Sequence, residues 1–211
     1  MARYTGPRCR LCRTESKRLF LKGDKCKSDK CPINRKRPLP GRDPKTRAKK
    51  QTDYAVQLRE KQKLKKSYGL LEKQFKLTFE KALRMPGKTG ENLFILLERR
   101  LDNIAFRLRF ATSRSQARQV VLHGHIFVNG KRVNIPSYTV RAGDIISVHP
   151  AYRTNKVLLG ALGEYEKSGV MSWLSLDVEK CEGKLNIVPQ RQDITDMAEI
   201  REQLVVELYS K

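Results

Sequence analysis

The chain has 211 residues, of which 45 are Lys or Arg and 22 are Asp or Glu, giving a formal net charge of +23 at pH 7. Hydrophobic residues make up 39% of the sequence, which is enough for a core and excludes a wholly disordered chain. Because no stretch resembles a membrane span or a secretion signal, we expect a soluble intracellular protein without membrane contacts.

The positive charge is concentrated in the first three quarters of the chain. Residues 1–50 contain 18 Lys and Arg against 4 Asp and Glu, and residues 51–163 contain 21 against 8. Residues 164–211 contain 6 against 10. Solubility needs far less charge, and such an excess repels itself unless a polyanion neutralises it. Nucleic acid is therefore the favoured partner, and a membrane surface is the weaker alternative.

Four of the five cysteines, Cys9, Cys12, Cys26 and Cys31, lie near the start of the chain with the spacing C-x2-C-x13-C-x4-C. Clustered cysteines of an intracellular protein bind metals more often than they form disulfides. Four thiolates favour zinc, with a four-iron four-sulfur cluster as the alternative. Because the second pair is more widely spaced than in a zinc ribbon, four unrelated buried thiols are a weaker alternative. Cys181 is predicted to be a core residue, and Trp173 and Tyr209 are predicted to be core or packing residues.

The middle of the chain begins with a basic arm followed by two helices. Residues 32–50 are rich in proline and basic side chains, which predicts an extended arm along phosphates or a disordered linker in the free protein. Thr52 is a candidate cap for a helix that continues through "DYAVQLREKQKLKKSY" and ends at Gly69. A second helix, "EKQFKLTFEKAL", presents Phe75, Phe79 and Leu83 at helical spacing as a core face.

Two further helices are predicted to form a helix-turn-helix. The first begins at Thr89 and continues through "GENLFILLERRLDNIAFRLRF" with one apolar stripe. The second lies within "ATSRSQARQVVLHGH". Ser113 and Gln116 have the spacing of a capping box, and Gly124 suits the position after the last turn.

Short strands are predicted for the remainder of the chain. Asn129-Gly130 between β-branched runs predicts a hairpin, and a further strand follows Gly143. The tail segments "SWLSLDVEKCEGKLNIVPQ" and "REQLVVELYSK" are predicted as short strands with one helical turn near residues 196–201. Because neither the tail nor the first pair of helices is long enough for its own core, we expect each to complete the other.

The segment "ERRLDNIAFRLRFATSRSQARQVVLHGHIFVNGKRVNIPSYTVRAGDIISV" resembles the RNA-binding αL motif. With "RYTGPRCRLCR", "DYAVQLREKQKLKKSYG" and "EQLVVELYSK", the resemblance covers nearly the whole chain. The sequence is similar to the small-subunit ribosomal protein four family, in the bacterial subtype that keeps an N-terminal four-cysteine metal site.

The resemblance implies a non-enzymatic, cytoplasmic component of the small ribosomal subunit. Members of this family bind small-subunit ribosomal RNA as primary binders, nucleate assembly of the subunit body and contribute to translational accuracy. The implied partners are small-subunit ribosomal protein five, other small-subunit proteins, and messenger RNA near the entry channel.

The predicted fold class is α+β, with three parts. Residues 1–50 are a metal-binding knot and basic arm. Residues 51–98 are a helical domain completed by residues 164–211. Residues 99–163 are an inserted αL RNA-binding domain, in which the helix-turn-helix packs on a small twisted β-sheet.

Duplex RNA is recognised through its shape, phosphates and 2′-hydroxyls, which suits arginine forks on rigid elements. Arg114 and Arg118, four residues apart on one helix, are therefore the main candidates. His123 is a better phosphate contact than metal ligand, since no cysteine or carboxylate lies nearby in sequence. The predicted RNA contacts are Arg3, Arg8, Arg10, Arg13, Lys22, Arg35, Lys36, Arg37, Arg47, Lys49, Lys50, Tyr54, Arg59, Lys61, Lys63, Arg100, Ser113, Arg114, Arg118, His123, Gly124, Asn129, Gly130, Lys131 and Arg132.

Two rival functions fit the sequence less well. "RRLDN" at 99–103 resembles the catalytic Asp setting of pseudouridine synthases, with Asp102 as the candidate. No second large sheet domain is left to form a pocket, so an ion pair between Asp102 and Arg99 or a neighbour is the better explanation. A zinc-dependent DNA-binding regulator would present one recognition helix, whereas here the charge is spread over the chain.

Overall fold

A computed structural model of the chain describes residues 3–41, 43, 50–163 and 169–210. The chain forms two compact units, divided after Leu93 and again after Thr195. The helices are α1 (Arg8–Thr14), α2 (Asp24–Lys27), α3 (Asp53–Ser67), α4 (Glu72–Leu83), α5 (Thr89–Glu98), α6 (Leu101–Arg107), α7 (Arg114–Leu122), α8 (Lys156–Gly163) and α9 (Glu202–Tyr209). The strands are β1 (Ile126–Val128), β2 (Lys131–Arg132), β3 (Ile145–Val148), β4 (Leu174–Asp177) and β5 (Glu182–Leu185). Within the described residues, no helix is long and apolar enough to cross a membrane.

The first unit is helical, and α3 and α4 have the predicted bounds. The Thr52 hydroxyl oxygen accepts the Ala55 N–H at 3.3 Å and so caps α3, which ends before Gly69 at a φ of +66°. Phe75 and Phe79 on α4 are buried as predicted, whereas Leu83, predicted on the same face, is exposed at the end of the helix. The arm is less extended than predicted, because the N–H of Arg35 bonds to the Cys31 carbonyl at 3.1 Å in a turn. Much of the remaining arm lies outside the described residues.

The C-terminal segment from Glu202 is a helix, so the strand predicted there is wrong. Its apolar residues recur at helical spacing, and Val205 is fully buried on the face that packs along α3. The ring of Tyr209 stacks on Phe79 with centroids 4.6 Å apart, as the predicted packing role requires. The predicted turn near residue 196 is a short 3-10 helix, Thr195–Met197.

The single helix predicted from Thr89 is instead divided into α5 and α6 at Arg99-Arg100. Arg100 has an extended backbone and pairs with Thr139, and the N–H of Leu101 bonds to the Tyr138 carbonyl at 2.8 Å. Hydrogen bonds to a distant segment therefore replace helical ones. The apolar stripe continues through the break, so its periodicity does not reveal the interruption.

The sheet of the second unit has the strand order β2-β1-β3-β5-β4, with antiparallel neighbours. Asn129 and Gly130 join β1 to β2 with φ values of +50° and +75°, the primed turn that the hairpin prediction requires. Because β5 pairs with β3, residues 174–185 extend this sheet and do not complete the helical unit as predicted. Only Asp196 and the residues after it belong to the first unit.

The core of the second unit lies between the α6–α7 pair and the sheet. A side chain at position 183 would overlap Leu108. β5 can therefore approach α6 this closely only because residue 183 is glycine. Trp173 and Cys181 are buried in this core, as predicted. Its fully buried members include Leu101, Ile104, Leu108, Ala117, Val121, Ile126, Ile146 and Leu185. This packing gives the polar edge of α7 a rigid support.

Candidate nucleic-acid interface

Arg114 begins α7 and is held by a chain of buried polar groups. Its Nε donates to Oδ1 of Asn103 at 2.8 Å, and its guanidinium lies 4.8 Å from the centre of the Phe106 ring. The Asn103 amide donates to Oε2 of Glu98 at 2.6 Å, and Arg107 binds the same carboxylate through two hydrogen bonds of 3.0 and 2.7 Å. Asn103 and Phe106 therefore hold the guanidinium of Arg114, the predicted phosphate-binding group, in place.

Arg118 and Arg100 share the carboxylate of Asp102. Arg100 donates to its two oxygens at 3.1 and 2.8 Å, and Nη1 of Arg118 donates to Oδ2 at 3.1 Å. The side chains of Arg100, Asp102 and Arg118 are only 8%, 8% and 13% exposed. The predicted ion pair of Asp102 is confirmed. The guanidinium of Arg100 is buried in this ion pair and Arg118 is mostly enclosed, and their RNA contacts stay predictions.

The cap of α7 also uses a residue that we predicted to contact RNA. Oγ of the buried Ser113 accepts the Gln116 N–H at 3.4 Å. Oε1 of Gln116 accepts from the N–H and the hydroxyl of Thr112 at 3.0 and 2.8 Å. The second half of the predicted capping box is therefore displaced by one residue. The Ser113 side chain stabilises the helix and does not face a ligand.

At the other end of α7, His123 is exposed and Gly124 is buried with a φ of +71°. Arg132 donates through Nε and Nη2 to the carbonyls of Gly124 and His123, each at 3.0 Å. A side chain at Gly124 would overlap this guanidinium. Gly124 therefore makes room for the guanidinium of Arg132. The close approach of RNA to this glycine stays a prediction.

The β1–β2 hairpin ends in an exposed tip. The Asn129 side chain donates to Asp144 at 2.8 Å and accepts the Ile145 N–H at 2.9 Å, so it joins the hairpin to the next turn. Gly130 and Lys131 remain exposed at the tip. Among the predicted contacts at the tip, Lys131 is the exposed cationic side chain.

The predicted contacts of the N-terminal segment divide into exposed and tethered cations. Arg8, Arg13 and Arg35 donate to backbone carbonyls within the segment, at 3.3, 2.9 and 3.0 Å respectively. Arg47 and Lys49 lie outside the described residues. The other exposed cations among these predicted contacts are Arg3, Arg10, Lys22, Lys36, Arg37 and Lys50, and Arg35 is exposed as well as tethered. Tyr54, near the start of α3, is also exposed.

The basic residues of α3 are engaged with carboxylates, which sequence reasoning missed. Lys61 and Lys65 bind Glu72 at 2.5 and 2.7 Å. Lys61 is buried in this contact, and its assignment as an RNA contact stays a prediction. The other cations of this helix behave alike: Arg59 and Lys66 bind the buried Glu15 at 3.2 and 2.6 Å, and Lys63 binds Glu60 at 2.6 Å. Glu15 was detectable as one of few acids in the first 50 residues.

Helix α4 presents a basic surface that the sequence prediction did not include. Lys73, Lys76, Lys81 and Arg84 are exposed, and no ion pair to them occurs among the described residues. Glu80 is the helix's other acid besides Glu72. The signal that indicates this surface is the density of lysine in the α4 sequence. We instead predicted the basic surface on α3.

The four N-terminal cysteines lie near one another. Burial raises the pKa of the Cys12 thiol, a backbone hydrogen bond from Leu19 lowers it, and Cys26, Cys9 and Cys31 raise it further. The Lys22 N–H donates to Sγ of Cys26 at 3.3 Å. Nevertheless, in the part of the chain that the structure describes, no three His, Cys, Asp or Glu side chains are arranged to hold a metal ion.

Comparisons with known proteins match two family models to consecutive parts of the chain. The family "Ribosomal protein S4/S9 N-terminal domain" matches residues 3–98, and "S4 domain" matches residues 99–146. Proteins named "Small ribosomal subunit protein uS4" are similar over 211 residues, which is 100% of this chain and of each relative. They are from Desulfotalea psychrophila (54% identical), Magnetococcus marinus (51%) and Thermoanaerobacter sp. strain X514 (54%). The chain belongs to the uS4 family of small ribosomal subunit proteins.

Proposed function

We propose that the chain is a structural component of the small ribosomal subunit in the cytoplasm, that it binds small-subunit ribosomal RNA, and that it is not an enzyme. The observation that carries this proposal is the identity of 51–54% to proteins named as small ribosomal subunit uS4 over the full length of both chains. The net charge of +23 supports the choice of a polyanionic partner.

The second unit supplies a rigid cationic edge for this role. Arg114 is supported by Asn103 and Phe106, so its guanidinium loses little freedom when it binds a phosphate. Lys131 extends the same kind of contact from the hairpin tip. Shape and backbone recognition of this type suits double-stranded RNA, whose base edges lie in a deep, narrow groove.

Co-sedimentation with small ribosomal subunits after a high-salt wash tests the proposal. The protein should remain with the small subunit, and free protein should prefer folded small-subunit RNA to duplex DNA in filter binding. Affinity should fall by about 10³–10⁵ between about 50 and 200 mM salt if roughly six to ten phosphates are contacted. Equal affinity for DNA would support the DNA-binding rival.

We further propose the finer roles that the family resemblance implies. These are primary binding to the RNA, nucleation of subunit body assembly, a contribution to translational accuracy, and contacts with small-subunit ribosomal protein five and messenger RNA near the entry channel. Omission from a subunit reconstitution tests the assembly role, because body proteins that depend on this chain should then fail to join.

We also propose that Cys9, Cys12, Cys26 and Cys31 hold one structural zinc ion, with a four-iron four-sulfur cluster as the alternative. Support comes from their spacing, from the mutual influence of the thiols on the pKa of Cys12, and from the N–H of Lys22 that donates to Cys26. Four thiolates would fill the coordination sphere of zinc, so the ion would stabilise the N-terminal segment without activating water.

A further inference from the structure

The three histidines of the chain come together in the second unit. His123 follows α7, His125 precedes β1, and His149 follows β3. We propose that this histidine cluster, with Arg132 and Tyr152, binds an RNA phosphate and takes up protons as it does so, so that RNA affinity rises as pH falls. The proposal rests on the RNA-binding function proposed above.

The geometry places the imidazoles at one surface. The His125 ring stacks on Tyr152 with centroids 4.3 Å apart and an interplanar angle of 14°. The His123 ring meets His125 edge-on at 5.9 Å. The backbone N–H of His149 donates to the His125 carbonyl at 2.9 Å, which fixes the end of β3 beside the start of β1. The cluster is therefore built on elements whose register the sheet determines.

Among the described residues, the groups that shift the pKa of His125 are all basic. Burial lowers the pKa of His125, and His123, His149 and Arg132 lower it further. In the free protein, burial and the neighbouring basic groups therefore disfavour protonation of the His125 ring. A phosphate anion would reverse the balance by favouring the imidazolium, and a protonated ring stacked on Tyr152 also gains a cation–π contact.

Arg132 gives the cluster a fixed positive charge. Its Nε and Nη2 atoms bond to the carbonyls of Gly124 and His123, so the guanidinium cannot move away from the end of α7. Because this charge does not titrate, it attracts an anion at every pH, whereas the histidines add charge only as the pH falls. The two contributions can be separated experimentally.

His149 has a different part in the cluster from His123 and His125. Its Nδ1 accepts the Ala151 N–H at 3.1 Å, so Nε2 is the nitrogen left to donate to a phosphate. We therefore assign to His149 a hydrogen bond to the phosphate through Nε2, and proton uptake to His123 and His125. No three of these side chains and their acidic neighbours in the described residues form a metal site.

The test is the affinity of the full-length protein for transcribed small-subunit RNA between about pH 8 and pH 6 at fixed salt. Each proton taken up raises affinity by at most about tenfold per pH unit between the free and bound pKa values. We expect a rise of about tenfold over this range. Calorimetry in two buffers of different ionisation enthalpy should show proton uptake by the unmodified protein. A flat affinity with no uptake would overturn the inference.

Variants then assign the protons. His123→Gln with His125→Gln should remove most of the pH dependence, whereas His149→Gln should lower affinity and keep most of the pH dependence. Lys131→Gln is the matched control, because it removes a permanent charge from β2 and should keep the pH dependence. An unchanged pH dependence in the double variant would also overturn the inference. Failure to prefer small-subunit RNA at any pH would instead overturn the proposed function.

Discussion

The guanidinium of Arg118 donates to Oδ2 of Asp102 at 3.1 Å, although Arg100 already binds the same carboxylate through two hydrogen bonds. One buried acid therefore balances two arginines, and the buried Nε of Arg118 has no hydrogen-bond partner among the residues that the structure describes. The arrangement keeps an uncompensated positive charge near the edge of α7. Such a charge favours a nearby anion, and it makes Asp102 the residue on which the burial of both arginines depends.

Asp102→Asn should destabilise the second unit by about 3–5 kcal/mol, because it leaves the guanidinium of Arg100 buried without its counter-charge. Arg118→Ala should cost less, about 1–3 kcal/mol, since Asp102 keeps Arg100 as its partner. Urea unfolding followed by Trp173 fluorescence measures both, because this tryptophan lies in the core of the same unit.

Asp177→Asn is the matched control, since Asp177 is an exposed aspartate of β4. It should leave the unfolding midpoint nearly unchanged. If Asp102→Asn were no more destabilising than this control, the carboxylate would not be needed to bury the arginines. Asp102 would then regain interest as a catalytic candidate.

The two classes of cation in the first unit should separate RNA binding from stability. Lys36→Ala with Arg37→Ala removes two exposed charges and should lower the salt slope of RNA binding by about two, with little effect on unfolding. Lys61→Ala with Lys65→Ala removes the partners of Glu72 and should lower stability by about 1 kcal/mol per pair or less, with an unchanged salt slope.

Filter binding at several salt concentrations and thermal unfolding of the two double variants and the unmodified protein measure both effects. Loss of salt slope in the Lys61 and Lys65 variant would mean that these lysines leave Glu72 to bind phosphate. The ion pairs of α3 would then be a property of the free protein alone.

The thiol chemistry of the N-terminal segment gives a third prediction. Protein purified without oxygen should contain about one zinc per chain, or iron with sulfide if a cluster forms. Cys26→Ser with Cys31→Ser should lose the metal and unfold this segment, because metal binding in isolated zinc peptides supplies on the order of 10–16 kcal/mol of folding free energy.

Cys181→Ser is the matched control, since Cys181 is buried in the core of the other unit. It should alter stability but not metal content. Rapid reaction of all five cysteines with a thiol reagent in the native protein would contradict a metal site.

Local patterns predicted the elements whose cause is local. The cap at Thr52, the aromatic face of α4 and the primed turn at Asn129-Gly130 each depend on a few neighbouring residues, and each is present in the structure. The cluster of basic residues and the αL segment likewise predicted the class of partner. The structure confirms the three local features, and the comparisons support the class of partner.

The missed features depend on residues far apart in sequence. The break at Arg100 depends on its isolated β-bridge to Thr139, and the Asp102 carboxylate that Arg100 binds is shared with Arg118, 16 residues further along the chain. Likewise, Lys61 is an RNA candidate in sequence but an ion-pair partner of Glu72 in space. Charge can be counted from a sequence, but whether a cation faces solvent or an acid is a tertiary property.

The carboxylate of Glu72 gives the last prediction, which concerns acid stability. Burial alone raises its pKa, but hydrogen bonds from Lys61, Lys65 and Tyr209 outweigh burial and lower the pKa from 4.5 to about 2. A carboxyl with a depressed folded-state pKa stabilises the fold above its unfolded pKa and loses that contribution as pH falls through the folded value. The contribution of Glu72 should therefore be complete above pH 4.5 and lost towards pH 2.

Thermal unfolding of wild type and Glu72→Gln between about pH 7 and pH 2 measures this contribution. The difference in Tm should be constant above pH 4.5 and shrink to nothing near pH 2. Because the Glu72 side chain is 47% exposed, solvent screens its ion pairs and the difference should be small. Glu80→Gln on the same helix is the control, and release of any thiolate-bound metal affects all three proteins alike. A Tm difference that persisted unchanged to pH 2 would show that Glu72 acts through packing, since only its charge is removed over that range.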